Sequence, residues 1–590
     1  MSSENNKIET IRHSLSHIMA AAVKKLYPDV KLGIGPAIEN GFYYDFDGLK
    51  ISDDDLPRIE EEMRQIIRQN IAFAKSEISQ SEAEKIFADQ PYKLELINEL
   101  CEGLTLTDSV RVRPSQAKVI SIYKSGNFTD LCIGPHIKST EEISPGAFKL
   151  SKIAGAYWRG DEKRPMLTRV YGLAFETEKE LADHLKMIEE AEKRDHRKIG
   201  AKLDLFSFHE QAPGMPFFHP RGAIVYHELE KFWRQAQEEF DYQYVHCPSM
   251  LDVSIWKQSG HWDHYKEDMF FIKAAKDEKE FALRPMDCPG AILVYNNSPK
   301  SYRDLPLRYA EPGLITRKEK SGQLGGLFRV QQFKQDDAHI FMAEDQIESE
   351  IKSVIKLVDK IYKPFGLEYK AFLSTRPDDY MGDIKLWDKA EKELTKILKE
   401  VYGDNYGLKE KDGAFYGPKI DYQLKDCLGR TWQCATIQLD FQMPLKFDCQ
   451  FIDNEGKPRT PVMIHRTIMG SFERFMGILI EHYAGAFPLW LSPVQAIILP
   501  IGQDHQKYGQ EVLDMLKKNN IRATLNLDNE TIGKKIREAE MQKIPYLLVV
   551  GDKEVQAKSV AVRERGAGDK GAMAIDELID IIKKEVADKN

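Results

Sequence analysis

Cys288, His339 and His465 lie far apart in the chain, yet each sits in a stretch dense with reactive side chains: Met286-Asp-Cys-Pro-Gly290, Gln335-Asp-Asp-Ala-His339 and Ile464-His-Arg466. One thiolate and two imidazoles form a three-ligand set for zinc, with a fourth position open to water or substrate; a structural site would close that position. A scattered Cys or His is by itself more often core filler than ligand, so the surrounding segments carry the argument. Gly313-Leu-Ile-Thr-Arg-Lys-Glu319 and Gly326-Leu-Phe-Arg329 place two arginines and a carboxylate around a Gly-rich loop. Such groups suit an adenine ring and polyphosphate oxygens, because guanidinium offers planar, bidentate donors. A third arginine lies in Gly470-Ser-Phe-Glu-Arg474, which opens the apolar run Phe475-Met-Gly-Ile-Leu-Ile480. That run predicts a helix whose positive N-terminal end would face a phosphate.

The first third of the chain carries a second constellation, His13-Ser-Leu-Ser-His17 with Cys132-Ile-Gly-Pro-His136. On a helix His13 and His17 project together, while Leu15, Ile18, Met19, Ala22, Val23 and Leu26 form a stripe on roughly the opposite face. The pair therefore lines a polar pocket, and Asp130 and His136 would complete it with proton-transfer groups. Two His with a further Cys and His also make a zinc set, so metal binding is a second reading.

The elements that position these groups fall into three blocks. The first reaches about residue 175; residues 176–200, rich in Glu and Lys, read as a solvated helical connector; the second spans about 201–493 and carries the metal and nucleotide motifs. In it Ile224 to Phe240 predicts a helix leading into Tyr242-Gln-Tyr-Val-His-Cys-Pro248. The third block, 494–590, alternates strand-like runs (496–499, 546–550, 559–562) with helical patterns at 506–518 and 575–586, which predicts an α/β domain with a largely parallel or mixed sheet. With 590 residues, three or four domains can each bury a core. A net charge of −9 removes overall basicity as a sign of nucleic-acid binding, so any such contact must be local. Seven cysteines without Cys-x-x-Cys spacing fit a reducing compartment, not a disulfide framework. The polar start shows no signal pattern and no apolar run approaches the roughly 18 residues of a membrane span, which predicts a cytoplasmic protein without membrane contact.

Taken with Gly155-Ala-Tyr-Trp-Arg-Gly160, Arg194-Asp-His-Arg197, Ala414-Phe-Tyr-Gly-Pro-Lys419 and Trp432-Gln-Cys-Ala-Thr-Ile-Gln438, these motifs resemble the class II aminoacyl-tRNA synthetases, most closely the threonyl-tRNA synthetase family. The resemblance runs from about Ile8 to near the C-terminus. It implies a multidomain α+β and α/β protein: a class II antiparallel-sheet catalytic core, an N-terminal α+β editing domain and a C-terminal α/β anticodon-binding domain. It implies ATP-dependent ligation of L-threonine to tRNA(Thr) through a threonyl-adenylate, with hydrolysis of mischarged seryl-tRNA(Thr), and a homodimer formed through the segment at 242–248.

The site roles it implies are as follows. Cys288, His339 and His465 hold one Zn2+ per subunit; Met286, Gln335, Asp337, Tyr416 and Gln438 orient threonine; Arg317 stabilises charge at the reacting α-phosphate. Glu319, Arg329, Phe333, Lys419, Gln433, Thr436, Ser471 and Arg474, with Arg317, hold ATP with Mg2+. His13, His17, Tyr44, Lys93, Asp130, Cys132 and His136 form the editing pocket, in which the resemblance requires no metal. Asn529, Glu554 and Arg563 contact the anticodon, with Lys534, Lys535, Arg537 and Arg565 adding positive charge.

Substrate chemistry explains the need for two sites. An apolar pocket separates valine from threonine only about a hundredfold, whereas an open zinc can take both the amino and hydroxyl groups of threonine. Serine keeps both groups and lacks one methyl, worth only ~1–3 kcal/mol, so a second, hydrolytic sieve is required. The chain departs from the family pattern in five respects: it starts at the editing-like block without a small extra N-terminal domain, Gly325, Gln331 and Gln332 stand where His, Arg and Gly are expected, and Thr531 replaces a lysine. Two other classes remain, a synthetase-like regulatory or RNA-binding protein and a dedicated deacylase; intact Arg317, Glu319 and Arg474 weigh against both.

Overall fold

The computed structural model describes residues 3–102, 119–273 and 279–589. The chain divides into two units, residues 1–189 and 190–590, and the division falls inside the charged helix Glu178–Arg194.

In the first unit, the helix Ser3–Leu26 lays Ile11, Leu15, Ile18, Met19, Ala22 and Val23 into a core shared with the helix Leu56–Arg68 and a five-stranded antiparallel sheet. The sheet is built on Gly41–Asp47, Met166–Ala174 and Phe148–Tyr157. A second, three-stranded sheet runs Phe73–Ser79, Val119–Ser125, Phe128–Leu131. Alternation along Val119–Ser125 and Met166–Ala174 puts apolar side chains inward, as a half-buried strand requires, whereas Gly41–Asp47 is buried along nearly all its length.

The second unit holds an eight-stranded sheet in the order Gln243–Tyr244, Leu307–Thr316, Gln332–Met342, Val462–Thr467, Thr431–Asp440, Lys419–Lys425, Glu368–Ser374, Gly407–Lys409. All pairings are antiparallel except the two outermost. Every residue of the central strand Val462–Thr467 is buried, because helices cover one face and the site covers the other. The helix predicted from residue 224 spans Pro220–Glu239, opened by Pro220 at its first position. It buries Val225, Leu229, Phe232, Trp233 and Ala236, at the three- and four-residue spacing of one helix face. The helix Phe472–His482 begins where the apolar run begins, and the Ser471 side chain caps it by accepting from the Arg474 amide.

At the C-terminal end a five-stranded mixed sheet has the order Ala523–Leu525, Ala496–Pro500, Tyr546–Val550, Ser559–Glu564, Gly568–Ala574. The first three strands are parallel and the last two pairings antiparallel. Helices Gln506–Lys518 and Ile575–Asp588 pack on it, close to the predicted ranges.

Asp336 ties the eight-stranded sheet to the capped helix. Its side chain points away from the cavity and accepts from Trp233 Nε1 (3.1 Å), the amides of Ile468, Met469 and Gly470 (2.9 Å each) and the Thr467 hydroxyl. Burial raises its pKa, and the donors oppose that shift. Asp336→Asn turns one acceptor into a donor facing N–H groups, so urea unfolding should show a loss of about 1–3 kcal/mol; an unchanged midpoint would contradict this bracing role.

Candidate active site and second acidic-histidine centre

Strand register brings the three distant motifs together. His339 lies directly opposite His465, and Gln438 lies opposite His465 on its other side. Side chains alternate along a strand, so Gln335, Asp337 and His339 share the face that carries Gln438, Thr436 and His465. Cys288 reaches the same place from the first turn of the helix Cys288–Asn296. Its Sγ is 3.2 Å from His465 Nδ1, and the other nitrogen of that ring, Nε2, is 2.9 Å from Asp440. The ligand atoms of Cys288, His339 and His465 all lie within 4.8 Å of one another.

This trio fits a zinc ion. Sulfur and imidazole are its preferred donors, all three residues are buried, and Asp440 fixes the His465 ring as an outer-shell carboxylate does in zinc sites. Burial, followed by Asp337, Asp287 and Asp440, pushes the Cys288 thiol well above its usual range. Burial, then His465 and Arg466, holds His339 well below the usual imidazole range. A dication reverses the thiol's preference, since coordination favours thiolate.

The trio forms one end of a cavity of about 490 Å³. Met286, Gln335, Asp337, Tyr416 and Gln438 line it beside the trio, with the Tyr416 hydroxyl donating to Gln438 Oε1. Asp337 is raised by burial and by Asp336, against Arg317. Arg317, Glu319, Arg329, Phe333, Gln433, Thr436, Ser471 and Arg474 line the other part. Arg317 Nε donates to Pro285 O (3.1 Å) and its guanidinium lies 5.3 Å from the Phe333 ring centre. Glu319 pairs with Arg329 at 2.7 Å, and Arg474 Nε donates to Phe328 O at 2.9 Å.

Lys419 is the exception in the predicted nucleotide set. Its ammonium group pairs with buried Asp421 (3.0 Å), which in turn accepts from Gln433 Nε2 (2.6 Å) and Thr436 Oγ1 (3.2 Å); the register sets Lys419 opposite Gln438 on the same sheet face, but held to Asp421 it is not among the side chains that line the cavity. Asp440, Phe328, Tyr265 and Phe415 were missed by sequence reasoning. Asp440 lies two residues beyond Gln438 on the same strand face, and that spacing is the signal that points to it. Gln331 donates to Pro213 O, and Gln332 reaches Thr316 Oγ1 at 3.5 Å, so these two departures are absorbed within the fold.

In the first unit the second constellation also closes. Cys132 Sγ is 3.4 Å from His13 Nε2 and 3.2 Å from His136 Nε2, and the rings of His17 and His136 are 4.4 Å apart. His17 is itself buried, because the loop carrying Cys132 and His136 covers the helix face that the sequence alone leaves polar. Asp130 sits behind the histidines. It pairs with Lys93 (2.6 Å), accepts from the Tyr44 hydroxyl (2.6 Å) and lies 3.4 Å from His17 Nδ1. Burial, then the other imidazoles, lowers His136 to about 2, while burial raises Cys132 to about 12 and Tyr44 well above the phenol range. The ligand atoms of His13, His17, Cys132 and His136 are close enough for a metal, yet the Lys93 ammonium beside Asp130 opposes a further cation.

The predicted anticodon residues stand on three different elements. Asn529 is in an exposed loop, Glu554 accepts from the Gly551 amide (2.9 Å), and Arg563 lies on the strand Ser559–Glu564; no hydrogen bond or ion pair joins them among the described residues. Two of the expected positive groups are engaged inside the fold. Lys535 is buried and donates to Pro500 O (3.0 Å), and the Arg565 guanidinium donates to Lys543 O and Phe487 O (2.5 Å each).

Comparison with known proteins identifies this arrangement. The family model of the tRNA synthetase class II core domain (G, H, P, S and T) matches residues 270–483, that of the anticodon binding domain matches 495–585, and that of the threonyl and alanyl tRNA synthetase second additional domain matches 120–171. A threonine–tRNA ligase of Clostridium botulinum (strain Kyoto / Type A2) is 53% identical over 98% of this chain and 89% of its own length. The chain belongs to the threonine–tRNA ligase family. The ligase of Carboxydothermus hydrogenoformans is 52% identical, again over 98% of this chain and 89% of its own. Among solved structures, the RNA binding domain of threonyl-tRNA synthetase from Cryptosporidium parvum Iowa II aligns with a TM-score of 0.64 and 40% identity, over 66% of this chain and 98% of that one. The class II core match contains every cavity-lining residue except Tyr265, and the second-additional-domain match contains Asp130, Cys132 and His136.

Proposed function

We propose that this chain activates L-threonine with ATP in the cavity of the second unit, transfers it to tRNA(Thr), and hydrolyses seryl-tRNA(Thr) at the His13–His17–Cys132–His136 centre. The observation that carries the reading is the alignment of Cys288, His339, His465 and Gln438 by strand register at one end of a cavity whose other wall is Arg317, Phe333 and Arg474.

Cys288, His339 and His465 are the residues that would hold zinc. When bound, zinc supplies an electrophilic position that favours an amino group paired with a hydroxyl, which threonine and serine offer and valine does not. The chain's own groups do the rest. Gln335, Asp337 and the hydrogen-bonded pair Tyr416–Gln438 orient the amino acid so that its carboxylate meets the α-phosphate. Arg317, braced by Pro285 O, places fixed positive charge where negative charge builds on that phosphate. Phe333 and Arg474 flank the nucleotide, Ser471 and Gln433 fix the wall around it, and Mg2+ accompanies ATP. Asp421, ion-paired with Lys419, accepts from Gln433 and Thr436 and so holds both side chains in a fixed hydrogen-bond frame.

At the second centre, Lys93 and Tyr44 hold Asp130, which lies against His17; burial keeps His17 and His136 neutral at physiological pH, and the imidazole lone pairs of the centre orient a water for attack on an aminoacyl ester. We further propose editing, catalytic and anticodon-binding blocks at 1–175, 201–493 and 494–590 with a helical linker at 176–200, and a cytoplasmic homodimer. No helix of the described residues is long and apolar enough to cross a membrane. Support for the dimer is the short edge strand Gln243–Tyr244, beside which Met250 and Leu314 are exposed.

Amino-acid-dependent exchange of pyrophosphate into ATP should be strong with threonine, weaker with serine and negligible with valine; equal exchange with valine would contradict a metal-based sieve. In the second assay, Lys93→Met should slow deacylation of seryl-tRNA(Thr) about 10²–10⁴-fold while threonine-dependent exchange stays intact; unchanged deacylation would remove this centre from the reaction.

A further inference from the structure

His196 has no part in the chemistry above, yet it is 3% exposed and both of its ring nitrogens are engaged. Nδ1 lies 2.7 Å from Glu481 Oε1, and the same oxygen accepts the His196 amide at 3.0 Å. A carboxylate only accepts, so Nδ1 carries the proton and Nε2 presents a lone pair. The amide of Leu327 donates to that lone pair at 3.0 Å. Asp195, His196 and Glu481 have metal-ligand spacing, but both imidazole nitrogens are taken and Glu481 also receives the Arg430 guanidinium, so this is a hydrogen-bond hub and not a metal site.

The loop that His196 holds forms part of the cavity wall. Gly326, next to Leu327, has φ +55°, and a Cβ there would lie 2.2 Å from His196 Nε2; only glycine lets the backbone reach the ring. Phe328 lies between the His196 ring (4.2 Å) and Trp432 (4.3 Å), and its carbonyl accepts from Arg474 Nε at 2.9 Å. Phe328, Arg329 and Arg474 all face the cavity.

We infer that His196 is a positioning residue for the nucleotide end of the site: its neutral imidazole, fixed by Glu481, anchors the backbone of residues 326–328 and so sets Phe328 and Arg474 against ATP. The inference rests on the reading of that end as the nucleotide site. Asparagine at 196 keeps a donor for Glu481 and lacks an acceptor for Leu327, whereas glutamine can place an oxygen near the Nε2 position. In pyrophosphate exchange by the full chain, His196→Asn should raise the KM for ATP about tenfold, leave the KM for threonine unchanged, and be largely corrected in His196→Gln. Gly326→Ala, which displaces the loop while leaving His196 intact, should also raise the KM for ATP, and it carries the test if the asparagine variant does not fold. Equal impairment by asparagine and glutamine, a parallel rise in both KM values, or an unaltered KM for ATP in Gly326→Ala would overturn the inference. Absence of threonine-dependent exchange in the unmutated chain would sink the activity reading itself.

Discussion

The register between Gln332–Met342 and Val462–Thr467 is the constraint on which the site depends. With His339 opposite His465, a slip of one residue would turn either imidazole to the opposite face, where Asp336 and Arg466 now lie. The register is secured from behind: Asp336 gathers five donors from the segment 467–470 and from Trp233, and Arg466 donates to Gln237 Oε1 and to Asp336 O (3.2 Å). One face of the sheet thus serves packing and the other chemistry. The positions of Gln335, Asp337 and His339 on the second face follow from those of Asp336 and Ala338 on the first.

Both reactive centres use the same device, a buried carboxylate set behind an imidazole. Asp440 stands behind His465, and Asp130 behind His17. Such groups do little for net stability, since desolvation offsets most of the attraction between buried charges, but removing one partner strands the other. Their value is orientation: each ring is left with one nitrogen fixed and the other directed at its neighbours. What separates the two centres is the remaining charge. The Cys288 trio has Asp287, Asp337 and Asp440 around it and suits a cation, whereas the second centre already contains the Lys93 ammonium.

Cys288, His339, His465, His13 and His17 were legible in the sequence because each stands in a short segment dense with reactive groups, whereas Tyr44 and Lys93 entered only through the family resemblance. The apolar run that Gly470-Ser-Phe-Glu-Arg474 opens predicts the helix found at 472–482, and the spacing of His13 and His17 predicts a shared helix face. Alternating strand and helix patterns likewise predicted the mixed sheet at the C-terminal end. What stayed hidden depends on non-local contacts. That the Lys419 ammonium is taken up by Asp421 shows only when both are set on one sheet face, and Lys535 looks like surface charge until the Pro500 carbonyl is placed beside it. Asp440 and Phe328 gain meaning only when His465 and Arg474 are seen against them.

X-ray absorption at the zinc edge of the purified full chain, with and without threonine, tests the central claim most directly. The account predicts one metal per chain bound by one sulfur and two imidazoles, with light-atom ligands in the remaining coordination that change when threonine is added and stay as they were with valine. A site with two or more sulfurs, a spectrum indifferent to threonine, or a chain that takes up no zinc would contradict it.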